Sequence, residues 1–257
     1  MRVGLFQCEG GGLSPSERFS ELEAAITGQA LDLVVCPELF LSGYAVGDDL
    51  RRLAEPKQGP FSDRIASLAK QQGIAIVYGY PEQQNELLFN SSICIDNMGE
   101  IISNHQKMML PQGFESEYFT NGDQLSIFNL GPFKCAMLVC YDVEYPEAVR
   151  AAVEAGAQVI IVPTALGDQW GVVAHKLIPT RAFENGVWVL YSNHAGVENG
   201  IGYLGSSCIV APDGSDAIRA GATQQLIIAE INLDAVNQAQ SRLPYLKMLP
   251  LLRVKIR

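Results

Sequence analysis

A cysteine closes the apolar, strand-like run Met137-Leu138-Val139-Cys140, and three other reactive side chains stand in comparable places. Glu38 follows Val34-Val35-Cys36-Pro37, Lys107 follows Asn104-His105-Gln106, and Glu115 lies in the loop beyond it. A polar residue at the end of a strand emerges where a site can be assembled from several strands. Each position alone is weak evidence, because a strand-ending glutamate or lysine is usually solvated and a cysteine closing an apolar run is usually a small buried hydrophobe. Together they supply a thiol, carboxylates and a cation. Those are the parts needed for acyl transfer through a covalent intermediate.

The elements that must position these groups read as alternating strands and helices. Short apolar runs rich in β-branched residues predict strands over Arg2–Cys8, Leu33–Cys36, Ile74–Tyr80, Phe89–Ile95, Cys135–Tyr141, Val159–Val162 and Val187–Ser192. Helical periodicity predicts helices over Ser16–Ala30, Ser62–Gln72, Tyr145–Ala155 and Gly171–Asn185, the last three followed by Gly73, Gly156 and Gly186. Hairpins are expected over Ile93–Ile102, around Asn97-Met98-Gly99, and over Cys208–Ile218, around Pro212-Asp213-Gly214. They would add antiparallel pairs to an otherwise parallel arrangement, so a layered α/β sandwich is favoured over a barrel. No linker, repeat or composition break divides the chain, and one domain over residues 1–257 is expected. The tail Ser241–Arg257, with Pro244, Pro250 and basic Lys247, Arg253, Lys255 and Arg257, reads as an extended arm that packs on a partner subunit.

Composition narrows the partners. The 257 residues suffice to bury one large core. A formal charge of −10 disfavours nucleic acid and anionic lipid, both of which require basic patches. The N-terminal MRVGLFQC has no basic region, apolar region and cleavage site in series, and no apolar run is long enough to span a bilayer. A cytoplasmic location is therefore expected. The six cysteines, at 8, 36, 94, 135, 140 and 208, show no CxxC or Cys/His ligand spacing, so neither disulfides nor a structural metal are expected.

Four ordered segments narrow the chemistry. PELFLSGY (37–44), KMMLP (107–111), ESEYFTNG (115–122) and CYDVEYPE (140–147) closely resemble the signature blocks of the nitrilase, or carbon–nitrogen hydrolase, superfamily, and weaker similarity continues through VPTAL, PTRAFENG and APDG. The resemblance covers nearly the whole chain. It implies a four-layer αββα sandwich that commonly pairs through its C-terminal region. Position by position, it makes Cys140 the nucleophile, Glu38 the general base, Lys107 the cationic stabiliser and Glu115 the second glutamate, which positions Lys107 and substrate. Such a set makes chemical sense: an ammonium favours the thiolate, a carboxylate accepts its proton, and Lys107 with the Tyr141 backbone N–H could hold the oxyanion. No cofactor is implied.

The cysteine motif resembles the amidase branches, since true nitrilases share a Cys-Trp-Glu type motif and are generally longer. A small carboxamide is thus the expected substrate, with nitriles or N-carbamoyl amides as alternatives for the same residues and an inactive binding scaffold as a rival of another kind. The intact Cys/Glu/Lys set argues against the scaffold. Tyr44, Tyr141, Thr164, Ala165, Leu166 and Trp170 lie in or beside the blocks and are candidate substrate contacts, though each could equally be packing. Other polar residues read as structural. Arg181 and Glu184, three apart, fit a helical ion pair. His105, His175 and His194 are too dispersed for a Cys/His pair, and Asp142, Glu144 and Glu147 suit a helix start whatever their role. Cys36 reads as core, and either Glu115 or Glu117 could form a surface ion pair. The tail departs from the superfamily's usual Arg-Arg-Pro-rich ending, which puts the usual dimer contact in doubt.

Overall fold

A computed structural model describes residues 1–251. Its strands are Arg2–Gln7 (β1), Leu33–Val35 (β2), Ala75–Gln84 (β3), Leu87–Ile95 (β4), Ile101–Gln106 (β5), Ser126–Leu130 (β6), Phe133–Met137 (β7), Val159–Pro163 (β8), Trp188–Ser192 (β9), Val197–Glu198 (β10), Ile201–Gly202 (β11), Cys208–Val210 (β12), Asp216–Arg219 (β13) and Gln225–Glu230 (β14). The helices are Pro15–Ile26 (α1), Asp49–Leu53 (α2), Pro60–Gln72 (α3), Phe114–Tyr118 (α4), Pro146–Glu154 (α5), Ile178–Asn185 (α6), Leu233–Arg242 (α7) and Tyr245–Met248 (α8).

Two six-stranded sheets form, in the orders β14-β1-β2-β3-β4-β5 and β13-β12-β9-β8-β7-β6. In each, three central strands are parallel, β1-β2-β3 and β7-β8-β9, and antiparallel strands flank them. Alternation along the strands explains the layering. Val3, Leu5, Leu33, Val35, Ala75 and Val77 of the first sheet share one core with Cys135, Met137, Val159, Ile161, Trp188 and Leu190 of the second. The intervening residues point the other way. Phe6, Val34, Ile76 and Tyr78 pack with Leu22 and Ile26 of α1 and Ile65 and Leu68 of α3, while Ala136, Ile160, Val162 and Val189 pack with Val149 and Val153 of α5 and Ile178 and Ala182 of α6. The order is helix, sheet, sheet, helix. Central strands buried on both faces read as unbroken apolar runs, which is what made them visible in the sequence.

Local chemistry sets the ends. Ser14 caps α1 through a reciprocal pair with Glu17. α3 ends on Gly73, whose φ of 69° lies in the left-handed region. Both expected hairpins form, β4-β5 and β12-β13.

Three readings need correction. The run expected as one strand to Tyr141 stops at Met137, and a 3-10 helix, Cys140–Glu144, begins at Cys140 with φ 44°. The helix expected over Gly171–Asn185 starts at Gly171 but is not α-helical throughout: a π-turn, Val173–Leu177, interrupts it, in which the Ile178 N–H reaches the Val173 carbonyl, and Pro179 next to it has no N–H to continue an α-ladder back into that turn. The tail is not extended over 241–251: α7 runs to Arg242, then α8 and a 3-10 turn, Leu249–Leu251, follow. Arg253, Lys255 and Arg257 lie outside the described residues.

Candidate active site

The chain past β2 keeps running along β3: Cys36 N–H reaches the Val77 carbonyl, Gly79 N–H the Pro37 carbonyl, and Leu41 N–H the Gly79 carbonyl. Glu38 therefore sits against β3, with its own N–H directed to the Thr164 carbonyl at the end of β8 in the other sheet (3.4 Å). A second tie crosses the same seam, from Ser192 Oγ to the Val35 carbonyl (2.9 Å). His194 Nε2 lies 2.7 Å from the Glu38 carbonyl, which can only accept, so that nitrogen carries the hydrogen. Burial first, then the Arg18 charge, pushes His194 down to about 3, and the ring stays neutral.

Lys107 follows β5 directly, its N–H on the Asn90 carbonyl of β4 (2.8 Å). Its fully buried ammonium meets Glu38 Oε1, Glu115 Oε1 and Glu115 Oε2, each at 2.7 Å. Burial alone would lower its pKa, but the Glu115 and Glu38 carboxylates outweigh that and hold it well above the usual lysine range. Lys107 stays charged. Glu115 is not in a loop as expected but on α4, buried, where Tyr44 donates its hydroxyl to Oε1 (2.8 Å). Burial raises Glu38 to about 7 against the pull of Lys107, with the Glu115 charge adding to the rise. Its Oε1 takes hydrogen bonds from Lys107 and Asn90, while its buried Oε2 takes none from the described residues. That oxygen is free to accept a proton.

Cys140 opens its 3-10 helix in a left-handed conformation sparsely populated by residues with a Cβ. The residue is half-buried. Burial raises its thiol far above the ordinary range and the Glu38 charge adds to this, while Lys107 and a hydrogen bond with Thr164 pull it down. The lysine alone thus does not make a resting thiolate, and proton removal falls to a base. Tyr141 occupies the next position, where a helix's first N–H groups are free of its own carbonyls.

Two residues that the sequence reading did not place in the site, Asn90 and Asp142, hold this arrangement. Asn90, in the middle of β4, donates to both Glu38 Oε1 (2.7 Å) and Glu115 Oε2 (3.1 Å). A lone amide inside a buried strand was the available signal. Asp142, read as a helix-start acid, is fully buried. It accepts from the N–H groups of Met108 (3.0 Å), Met109 (2.8 Å) and Val139 (3.0 Å), and from His105 Nε2 (3.0 Å), so it joins the chain after Lys107 to the chain before Cys140. Of the other expected contacts, Thr164 lies beside the thiol and gives its hydroxyl to Tyr191 (3.1 Å). Ala165 is half-buried, while Leu166 belongs to the core and both its backbone groups are held by Asn193. Trp170 lies 55% exposed on a 3-10 turn, Asp168–Trp170. Arg181 pairs with Glu184 at 3.0 Å as expected, and His175 is exposed. The six cysteines are free, and among the described residues no group of three or more His, Cys, Asp or Glu could hold a metal ion. None of the described helices is long and apolar enough to cross a membrane.

Residues 2–241 match the carbon-nitrogen hydrolase family. A protein described as a hydrolase in the pqqF 5′ region of Pseudomonas protegens is 38% identical over 96% of this chain and 88% of its own length. An (R)-stereoselective amidase of a Pseudomonas species is 31% identical over 84% of this chain and 78% of its own length. Among solved structures, a variant of the amidase from Nesterenkonia sp. AN1, with acrylamide added at its active site cysteine, superposes with a TM-score of 0.85 at 31% identity, covering 95% of this chain and 98% of that one. Another variant of the same amidase, in complex with butyramide, also gives 0.85, covering 95% of each chain.

Proposed function

The chain belongs to the carbon-nitrogen hydrolase family, and we propose that it is an amidase that cleaves the C–N bond of a small carboxamide through a thioester on Cys140. One observation carries this reading: a buried Glu38–Lys107–Glu115 cluster stands beside a half-buried cysteine, with one glutamate oxygen unengaged. Glu38 Oε2 takes the thiol proton as Sγ bonds to the amide carbon. The Lys107 ammonium and the Tyr141 N–H stabilise the oxyanion, each donor worth roughly 3 kcal/mol in such sites. The C–N bond then breaks as Glu38 returns its proton to nitrogen, and ammonia leaves. Glu38 next takes a proton from water, which attacks the thioester, and the carboxylic acid is released with the thiol restored. Glu115, Asn90 and Tyr44 hold the pair in place. Amidase names among the relatives and structural neighbours support the choice of amides over nitriles. We place the enzyme in the cytoplasm and expect one domain over the whole chain.

Ammonia release from a panel of short amides, nitriles and N-carbamoyl amino acids tests the reading. Amides should be the best substrates. Cys140→Ala should remove turnover while leaving the circular dichroism spectrum unchanged. Full amide hydrolysis by that variant, or turnover of nitriles or carbamoyl compounds alone, would overturn it. A wild-type protein inert to every compound would instead favour a binding scaffold.

A further inference from the structure

The Tyr44 hydroxyl meets Glu115 from a stretch of chain between Gly43, whose φ is 86°, and the start of α2. Among the described residues no backbone carbonyl receives the N–H of Tyr44 or of Ala45. A side chain does so instead: Glu198 Oε2 accepts from Tyr44 N–H (2.9 Å) and from Ala45 N–H (2.8 Å). Its neighbour Asn199 donates Nδ2–H to the Ala45 carbonyl (2.7 Å). Both residues stand at the tip of the β10-β11 hairpin, where Glu198 pairs with Ile201 across the two-residue turn Asn199-Gly200, both in the left-handed region that Asn-Gly turns favour. The hairpin thus grips residues 44–45 by two donors and an acceptor.

Glu198 is itself held fast. Its side chain is 1% exposed; Oε2 also takes the Tyr203 hydroxyl (2.8 Å), and Oε1 pairs at 3.2 Å with Nη2 of the equally buried Arg18. Arg18 in turn donates to the Leu13 and Gly10 carbonyls. A Cβ on Gly43 would overlap Glu198 Oε1 and lie 2.8 Å from Arg18 Nη2, so the pair is pressed onto the backbone that leads into Tyr44. A buried ion pair adds little stability over apolar packing of the same shape. What this one does supply is a fixed acceptor, and it is aimed at the backbone of a residue whose side chain reaches the site. A tyrosine hydroxyl lies at the far end of a rigid ring, so a small turn of the Tyr44 peptide moves it further than a hydrogen bond tolerates.

We propose that Glu198 is a positioning residue of the active site: by holding the 44–45 backbone it sets the Tyr44 hydroxyl on Glu115, and through Glu115 the Lys107 ammonium. This rests on the amidase reading and adds to it a residue outside every segment that resembles the family's blocks.

The test removes the ion pair as a unit, because breaking one half would strand a buried charge. Arg18→Met/Glu198→Gln keeps an oxygen to accept the two N–H groups, whereas Arg18→Met/Glu198→Met keeps only the shape. With butyramide and ammonia release as the readout, kcat of the second should lie about tenfold or more below that of the first, the scale of a lost hydrogen bond to a charged group. Adding Tyr44→Phe should lower kcat of the first by about tenfold again and of the second hardly at all, because the hydroxyl there is already misplaced; a general loosening of the fold would instead multiply with it. Alkylation of Cys140 by iodoacetamide, followed by intact mass, makes the same comparison without turnover. It should be slower in the second protein, where Lys107 is held less firmly beside the thiol, and Tyr44→Phe should slow it no further. If the Glu198→Met protein does not fold, Asn199→Gly takes its place: it lies on the exposed turn, suits the positive φ and loses the bond to Ala45. Its kcat should fall roughly threefold, again absorbed by Tyr44→Phe. Equal kcat in the Gln and Met proteins, losses that multiply with Tyr44→Phe, or wild-type kcat in Asn199→Gly would overturn the assignment. A wild-type protein inert to butyramide would overturn the amidase reading instead, and the alkylation rates would still decide for or against Glu198.

Discussion

Glu38 and Lys107 share one hydrogen bond yet should fail differently when replaced, because in the mechanism proposed above one moves protons and the other holds charge. With Glu38 raised to about 7 by burial, the base is in its inactive, protonated form below that pH. The wild-type kcat/KM should therefore climb with pH through about 7 and then level, which a pH–rate profile on a small amide checks. Lys107→Met removes the cation that opposes the rise in Glu38 and leaves Glu38 and Glu115 buried together, so the same limb should move to higher pH. The maximal rate should drop by about 10²–10³, the usual cost of losing one oxyanion donor. Glu38→Gln keeps the lysine in place but has no base for either half-reaction. A p-nitrophenyl ester, which acylates a thiol with less help, should then leave an acyl-enzyme visible by intact mass. Near wild-type hydrolysis by either variant would remove that residue from the set. The sequence singled out Glu38, Lys107, Glu115 and Cys140 because each stands in a run of family-like residues, PELFLSGY for Glu38 and CYDVEYPE for Cys140, and the structure brings the first three into contact. It did not place Asn90 and Asp142 in the site. Their roles depend on which distant segments reach them, Glu38 and Glu115 for the first and Met108, Met109 and Val139 for the second, and spacing along the chain does not encode that.

The strands that place these groups impose their own demands, of which Gly79 is the sharpest. A Cβ built there would overlap the Leu39 nitrogen and come within 2.7 Å of Glu38 Cα and 2.8 Å of the Glu38 carbonyl carbon, all backbone atoms that cannot swing aside. A glycine inside a strand marks such a close approach. Gly79→Ala should thus cost about 1–3 kcal/mol by overpacking and also push the base out of register, lowering both Tm and kcat. Gly73 is the control. It ends α3 in the left-handed region with open space around it, so Gly73→Ala should cost about 1–2 kcal/mol through backbone strain yet leave kcat near wild type. Calorimetry and a rate assay on both variants separate the two effects; equal kcat in the two would contradict the role given to Gly79. The same scale shows where sequence reading stops. Central strands such as β2, β8 and β9 announce themselves by being apolar on both faces, but β6, with half-buried and exposed residues around a buried Phe128, and β14, with only Ile227 fully buried, carry no such run. Helix α7 escaped for the same reason, since Val236 is its one buried residue.

Across the whole molecule the formal charge is −10, and of the twelve large apolar side chains exposed among the described residues, five gather at one place. Phe183 of α6 is 37% exposed, and Tyr245, Met248, Leu249 and Leu251 of the arm are between 39% and 66% exposed. Phe183 and Tyr245 pack edge to face with centroids 6.2 Å apart, so the arm lies on α6 and the apolar residues form one surface. Contiguous exposed apolar residues on a monomer mark an interaction face or an aggregation liability. The arm was read from sequence as extended because Pro244 and Pro250 break helical periodicity, but Pro244 precedes α8, where a proline is compatible with a helix start. What survives of that reading is the expectation of a partner. The arm begins where the family match ends, at residue 241, which suits a contact particular to this chain. A homodimer or larger assembly formed through α6 and α8 is therefore expected, its face self-complementary about a two-fold axis. Light scattering at micromolar concentration should give at least twice the 27.9 kDa chain mass. Tyr245→Glu combined with Met248→Glu places two like charges on each side of that face, and should shift the protein toward monomer while leaving the sheets' circular dichroism unchanged. A wild-type monomer, or a variant that assembles as tightly as wild type, would show that this face stays in water.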